Sequence, residues 1–214
     1  MRTHRLRELL FPRRCPFCGA PLKNEWLCDA CRRDLPFTAD TLLRRGGDYG
    51  RCCAPLYYEE RVRRAVLDMK FHHKLGGMNC FGELMAQCAA AHYSGAFDAV
   101  TWVPISKQRL KERGYDQAYL LSLSVCEHWQ CKPVATLRKT VDNQPQSGLK
   151  DAAARRGNVL GVYEPLHSAD NVGKRWLLID DVMTTGATLG ECARILRQAG
   201  AADVMCLTLA TSRG

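Results

Sequence analysis

The chain predicts an α/β fold: a mainly parallel sheet flanked by helices, with a small four-cysteine module ahead of it. Three observations carry this expectation. From about residue 60 onward, short apolar runs alternate with segments of helical period, the pattern of strand–helix–strand units. Two Cys-x2-Cys pairs stand close together near the start. A length of 214 residues, 46% of them hydrophobic, suffices for one α/β core and one small accessory module.

The module comes first in the chain. Cys15-Pro-Phe-Cys18 and Cys28-Asp-Ala-Cys31 enclose the stretch from Gly19 to Leu27. With twelve cysteines in the chain, chance supplies about 0.7 Cys-x2-Cys pairs, and a second pair within about twenty residues roughly 0.04 times. The double pair therefore reads as a tetrahedral thiolate site with Cys15, Cys18, Cys28 and Cys31 as ligands. Gly19 permits the tight turn such a knuckle needs. Four thiolates suit zinc or iron. Because protein fills every position, the role is structural rather than catalytic. The remaining cysteines follow no spacing, which argues for a reducing compartment, the cytoplasm. The early apolar cluster Leu6, Leu9, Leu10 and Phe11 is short and interrupted by Arg and Glu, so no signal peptide or membrane insertion is expected.

The module is expected over residues 11–35, a connector over 36–55 and the α/β domain over 56–214. Val62, Ala65, Val66 and Met69 carry the spacing of a helix near 60–70. Further helices are expected near 77–93, 116–130, 150–156 and 187–199. Strands are expected near 98–103, 133–137, 159–163, 176–180 and 203–209. Cys52-Cys53 read as ordinary core or surface cysteines. His72-His73, between Phe71 and Lys74, read as solvent-facing or substrate-proximal polar residues.

After the strand ending at Val103-Pro104 come Lys107, Arg109, Lys111 and Arg113, four cations within seven residues. They suit a diphosphate, Arg through its bidentate fork and Lys as a point charge. Taken alone, the segment reads equally as a solvated basic turn. Leu137-Arg138-Lys139-Thr140 then leads into the polar, turn-rich stretch from Asp142 to Gly148, suited to a loop.

The most informative stretch is Trp176-Leu-Leu-Ile-Asp180-Asp181-Val-Met-Thr184-Thr185-Gly186-Ala187-Thr188. An unbroken apolar run reads as a buried parallel strand. Leu189, Cys192, Ala193, Ile195 and Leu196 then recur at helical spacing, and Gly200 supplies the stop. Strand, loop and helix N-terminus together make a phosphate site of free backbone amides and the positive end of the helix dipole. The Gly-x4-Gly-Lys pattern of nucleoside triphosphatases and the Gly-x-Gly-x-x-Gly of dinucleotide binders are both missing. Paired carboxylates ahead of the loop suit the vicinal hydroxyls of a sugar whose phosphate the loop holds. A plain N-cap accounts for one residue of this set and leaves the others unexplained.

The order of apolar run, acid pair and Thr-Thr-Gly-x-Thr resembles the 5-phosphoribosyl-1-diphosphate signature of type I phosphoribosyltransferases. The preceding Val-Pro, Arg109, Arg113, Gly114, Tyr115, Gln117 and Ala118, with the cysteine module, resemble the ComF/GntX subfamily. Asp116 departs from it, since Asn is usual there. Arg138, Asn158 and Val159 are compatible with it, as are Gln144 or Gln146 and Arg155 or Arg156. The resemblance implies a type I phosphoribosyltransferase-like fold and a zinc ribbon. It also implies that Asp180 and Asp181 meet the ribose hydroxyls and that Thr184, Thr185, Gly186, Ala187 and Thr188 hold the 5-phosphate. Arg109, Arg113 and Arg138 are expected at the diphosphate, with magnesium. The implied activity is transfer of the phosphoribosyl group to a nitrogenous acceptor. The implied setting is DNA uptake (competence), with a DNA helicase or single-stranded DNA as partner. The alternative is a non-catalytic zinc-ribbon protein in DNA uptake or repair whose sugar-phosphate site is a sensor or relic.

Charge is unevenly spread. Residues 1–75 hold 16 Lys/Arg against 9 Asp/Glu, a balance of +7, and residues 76–214 hold 15 against 13, or +2. A basic first third suits nucleic acid or an acidic partner, or simply a soluble basic surface. No basic stripe interleaved with aromatics, as in single-strand binders, is visible in the sequence.

Overall fold

The computed structural model describes residues 13–39, 43–142, 161–166 and 171–213. Its helices are α1 (Asp29–Asp34), α2 (Glu60–Phe71), α3 (Met78–Tyr93), α4 (Lys107–Arg113), α5 (Gln117–His128) and α6 (Ala187–Gln198). Its strands are β1 (Arg44–Gly46), β2 (Gly50–Cys53), β3 (Leu56–Tyr57), β4 (Ala99–Trp102), β5 (Leu137–Lys139), β6 (Tyr163–Pro165), β7 (Arg175–Met183) and β8 (Asp203–Thr211). Among the described residues the main sheet runs β1-β2-β8-β7-β4, with β3 also on β8. Every pairing in it is parallel except the β1–β2 hairpin. This is the mainly parallel, helix-flanked sheet that the alternation of patterns predicts.

The central strands β7 and β8 are largely apolar because both faces are covered. Successive side chains alternate between those faces. Leu177, Ile179, Met205 and Leu207 point to one core, shared with α2, α3 and α5. Leu178, Val204 and Cys206 point to the other, shared with α6 and with Leu137 and Tyr163 of the small sheet. In α2 the buried positions are Val62, Ala65, Val66 and Met69, the stripe at i, i+3, i+4 and i+7. Asp116 caps α5, its Oδ1 accepting from the amides of Ala118 and Tyr119.

Three features depart from expectation. The main sheet begins at Arg44, inside the segment read as a connector, because β1 and β2 form a hairpin that lays Arg51–Cys53 along Met205–Leu207. A seven-residue helix, α4, spans the basic segment, with Ser106 as N-cap and Gly114 (φ 79°) as its left-handed stop. The strands expected near 133–137 and 159–163 lie slightly later, at β5 and β6, and pair antiparallel as a separate two-stranded sheet. The expected helix at 150–156, Gln144, Gln146, Arg155, Arg156, Asn158 and Val159 lie outside the described residues. Among those described, no helix is long and apolar enough to cross a membrane.

The cysteine module packs onto the main core. Cys15, Phe17, Leu27, Cys31 and Leu35 belong to the same buried cluster as Phe81, Leu84 and Met85 of α3.

Candidate functional site

The carboxyl edge of the sheet carries the acid pair and the Thr184–Thr188 loop. β4 pairs with β7 only as far as Trp102 opposite Ile179. β7 runs on to Met183, so Asp180 and Asp181 lie on a stretch of strand that has β8 on one side and no β4 on the other. The acids therefore sit within the strand's last part rather than after its end. Strand alternation turns them to opposite faces. Asp181 faces α2, where the Lys70 ammonium donates to its Oδ1 at 2.8 Å. Asp181 is almost fully buried, and its Oδ2 also lies 2.8 Å from the Lys70 ammonium, so the cation straddles both carboxylate oxygens. Asp180 is half-buried and accepts at Oδ1 from the Asp181 amide, 2.8 Å away. Burial and then the Asp181 carboxylate push the Asp180 carboxyl well above the usual range, against the pull of Lys70.

The loop follows directly. Gly186 caps α6 with φ 77° and ψ 3°, a left-handed conformation that glycine adopts without strain. Gly186 itself has no side chain with which to cap this helix start. The Ala187 amide donates to Thr185 Oγ1 at 3.4 Å, and Ser212 donates through its hydroxyl to the Thr184 carbonyl at 3.2 Å. Thr184, Thr185, Ala187 and Thr188 are half-buried. Tyr49, at the tip of the β1–β2 hairpin, covers Gly186 so closely that a Cβ there would lie 2.5 Å from its Cε1.

The arginines expected at the diphosphate contact groups other than the acid pair. Arg109 lies 3.7 Å from Asp142, which also accepts from the Ser106 hydroxyl. The Arg113 guanidinium lies 5.4 Å over the Phe71 ring and donates to Gln117. Arg138 is on the solvent face of β5, paired with Glu164 across the small sheet at 2.6 Å. Its neighbour Lys139 is the one turned inward: it stacks on Tyr163 at 5.5 Å, and burial, then Arg109, lower its pKa. The pattern Leu137 in, Arg138 out, Lys139 in is the signal that finds Lys139 from sequence. Asp116 is turned away from ligand space, its Oδ2 accepting from the Ile105 amide at 3.1 Å. Tyr49 is a further functional candidate absent from the sequence reading, and Lys70, which precedes Phe71 and the histidine pair, is one to which that reading gives no site role.

The end of α2 is clamped onto the loop after α4. The Tyr115 hydroxyl donates to the Met69 carbonyl, and the His73 and Tyr115 rings meet edge-on at 5.6 Å.

In the module, one ligand atom from each of Cys15, Cys18, Cys28 and Cys31 lies within 4.8 Å of the others. Gly19, at φ 77°, turns the first knuckle, and the Cys31 amide donates to Cys28 Sγ at 3.4 Å. Burial opposes ionisation of Cys15, yet the amides of Phe17, Cys28 and Cys18 bring its thiol down to about 7. Four sulfurs converging in this way, two of them fully buried, form a closed tetrahedral set that leaves no position for substrate.

Residues 6–60 match the model of a double zinc ribbon domain, so the four cysteines form a structural zinc site. The match also takes in the hairpin strands. The DNA utilization protein YhgH of Escherichia coli O157:H7 is 32% identical over 211 residues, covering 91% of this chain and 84% of that protein. This chain belongs to the ComF family. Its likeness to the competence protein ComFC of Bacillus subtilis strain 168 is 28% identity over 199 residues, covering 92% of the chain and 78% of that relative. Among solved structures, part of this ComF-family chain is similar to the glutamine phosphoribosylpyrophosphate amidotransferase of Bacillus subtilis, with TM-score 0.39 and 21% identity. That likeness covers 62% of the chain, which spans about a quarter, 26%, of the amidotransferase.

Proposed function

We propose that this protein binds 5-phosphoribosyl-1-diphosphate at the carboxyl edge of the sheet and transfers the phosphoribosyl group to a nitrogenous acceptor. The single observation that carries the reading is the acid pair on β7 running into the Thr184–Thr188 loop at the start of α6. The buried Asp181 carboxylate, with Lys70 against both of its oxygens, keeps lone pairs suited to a hydroxyl donor. Thr185, Thr188 and the first amides of α6 would hold the 5-phosphate. Arg109, Arg113 and Lys139 would meet the diphosphate. Arg138 would reach it only after leaving Glu164. Positive charge develops on the ribose as diphosphate departs, and the two carboxylates stabilise it.

Asp181 already holds the Lys70 ammonium, so magnesium suits this site as a counter-ion arriving with the diphosphate oxygens rather than on the acid pair. When bound, magnesium would neutralise the leaving diphosphate. The names of the relatives support a setting in DNA uptake or use. The second reading is a non-catalytic partner of a helicase or single-stranded DNA in that setting, to which the basic first 75 residues would contribute.

Isothermal titration with phosphoribosyl diphosphate, with and without magnesium, tests the first step. Diphosphate release on adding candidate acceptors tests the second. Binding without release would select the non-catalytic reading. No binding would remove both forms of the site.

A further inference from the structure

Two carboxylates adjacent in sequence near the carboxyl end of a strand offer the oxygen ligands that a divalent cation takes. Here one of them is already engaged. Lys70 reaches from the last turn of α2 to Asp181, with its ammonium 2.8 Å from Oδ1 and only 22% of its side chain exposed. This is no freely moving surface lysine. The residue before it is tied by its carbonyl to the Tyr115 hydroxyl, and the residue after it is stacked under Arg113. The buried stripe Val62, Ala65, Val66 and Met69 fixes the rotation of the helix itself.

The ammonium places one positive charge where a hard cation would otherwise sit, 2.8 Å from each of the two carboxylate oxygens of Asp181. A carboxylate oxygen that already accepts from a fixed cation keeps a lone pair for a neutral hydroxyl, whereas a second, doubly charged ion would meet direct repulsion from the ammonium. We propose that Lys70 is a positioning residue that makes the acid pair a receptor for a sugar's vicinal diol rather than a divalent-metal site. The metal is thereby left to the diphosphate. This rests on the reading that the pair receives ribose.

The test uses the full-length, zinc-loaded protein and Mn2+ as the probe, with no phosphoribosyl compound present. Free Mn2+ is followed by its electron paramagnetic resonance signal. The parent should take up little Mn2+. Lys70→Met and Lys70→Gln, which keep much of the side chain and remove the charge, should each bind Mn2+ about tenfold tighter or better. Adding Asp181→Asn to Lys70→Met should abolish the gain, and Lys70→Arg should behave as the parent. In parallel, Lys70→Met should weaken phosphoribosyl diphosphate binding about tenfold, with Lys70→Arg restoring most of it. A merely structural lysine would change the melting temperature without creating a metal site. If both neutral variants fold and neither gains Mn2+, the inference is overturned. If the parent fails to bind phosphoribosyl diphosphate, the functional reading falls, while the Mn2+ result still decides the charge role of Lys70.

Discussion

The rings of Phe17 and Phe81 meet edge to face, 5.6 Å between centroids and 66° between planes, and so join the zinc ribbon to α3. Both rings are buried, and Pro16 presses on Gly77 in the same contact, where a Cβ on the glycine would lie 2.6 Å from the proline Cβ. The ribbon is thus part of the main core. Phe17→Ala should cost about 3–5 kcal/mol, read by denaturant unfolding of the zinc-loaded chain. The loss should appear in the transition of the whole protein. Two separate transitions, with only the first shifted, would show that the ribbon stands alone.

The acid pair is the part of the functional reading most open to refutation. Asp180→Asn with Asp181→Asn should weaken phosphoribosyl diphosphate binding by about 2–4 kcal/mol, taking charge-assisted bonds at about 1.5–3 each with incomplete additivity. Thr185→Val should weaken it as well. Both variants should remain folded, since the sites lie at the open edge of the sheet. Calorimetric affinities equal to the parent's would refute the assignment.

Asp180 makes stability depend on pH. Its folded-state pKa is raised, by burial first and by Asp181 second, so the folded protein holds that proton more tightly than the unfolded chain does, whose Asp titrates near ~3.9. The favourable contribution is complete below the unfolded value and is lost as pH rises through the folded one. Asp180→Asn removes this loss. Melting curves should show the variant gaining on the parent as pH rises from about 4 to about 8. A constant difference across that range would contradict the shift.

Gly186 and Tyr49 should behave as a coupled pair. Gly186→Ala meets both a left-handed backbone and the Tyr49 ring, and should cost about 1–3 kcal/mol. With Tyr49→Ala already in place, the same change should cost only about 1 kcal/mol, the residual backbone strain. Unfolding free energies of the four proteins in this cycle provide the measurement. An interaction energy near zero would mean that the ring does not restrain the loop.

What could be read from the chain beforehand divides along physical lines. The acid pair, its loop and the four cysteines are visible because each depends on neighbours close in sequence. The helices over 60–71 and 78–93 are visible because their buried stripes repeat at helical period. The β1–β2 hairpin is not: Arg44-Arg45-Gly46 and Gly50-Arg51 are polar and glycine-rich, and they become strands only because β8 offers an edge. Lys70 is equally hidden, standing 111 positions from Asp181. Lys139 lies between these cases, since strand alternation distinguishes it from Arg138 once the strand is placed correctly.

The pairing of β2 with β8 bears on how the molecule is made. β8 follows every other strand in the chain, yet it lies between β7 and β2 and is buried over nearly its whole length. A ribosome releases the ribbon and the hairpin long before the strand that completes their sheet, so Cys52 and Cys53 await partners that arrive some 150 residues later. Through that interval the ribbon can close on contacts that are all near in sequence. Zinc supply during synthesis should therefore decide whether the first part of the nascent chain waits as an ordered knuckle or as exposed thiols.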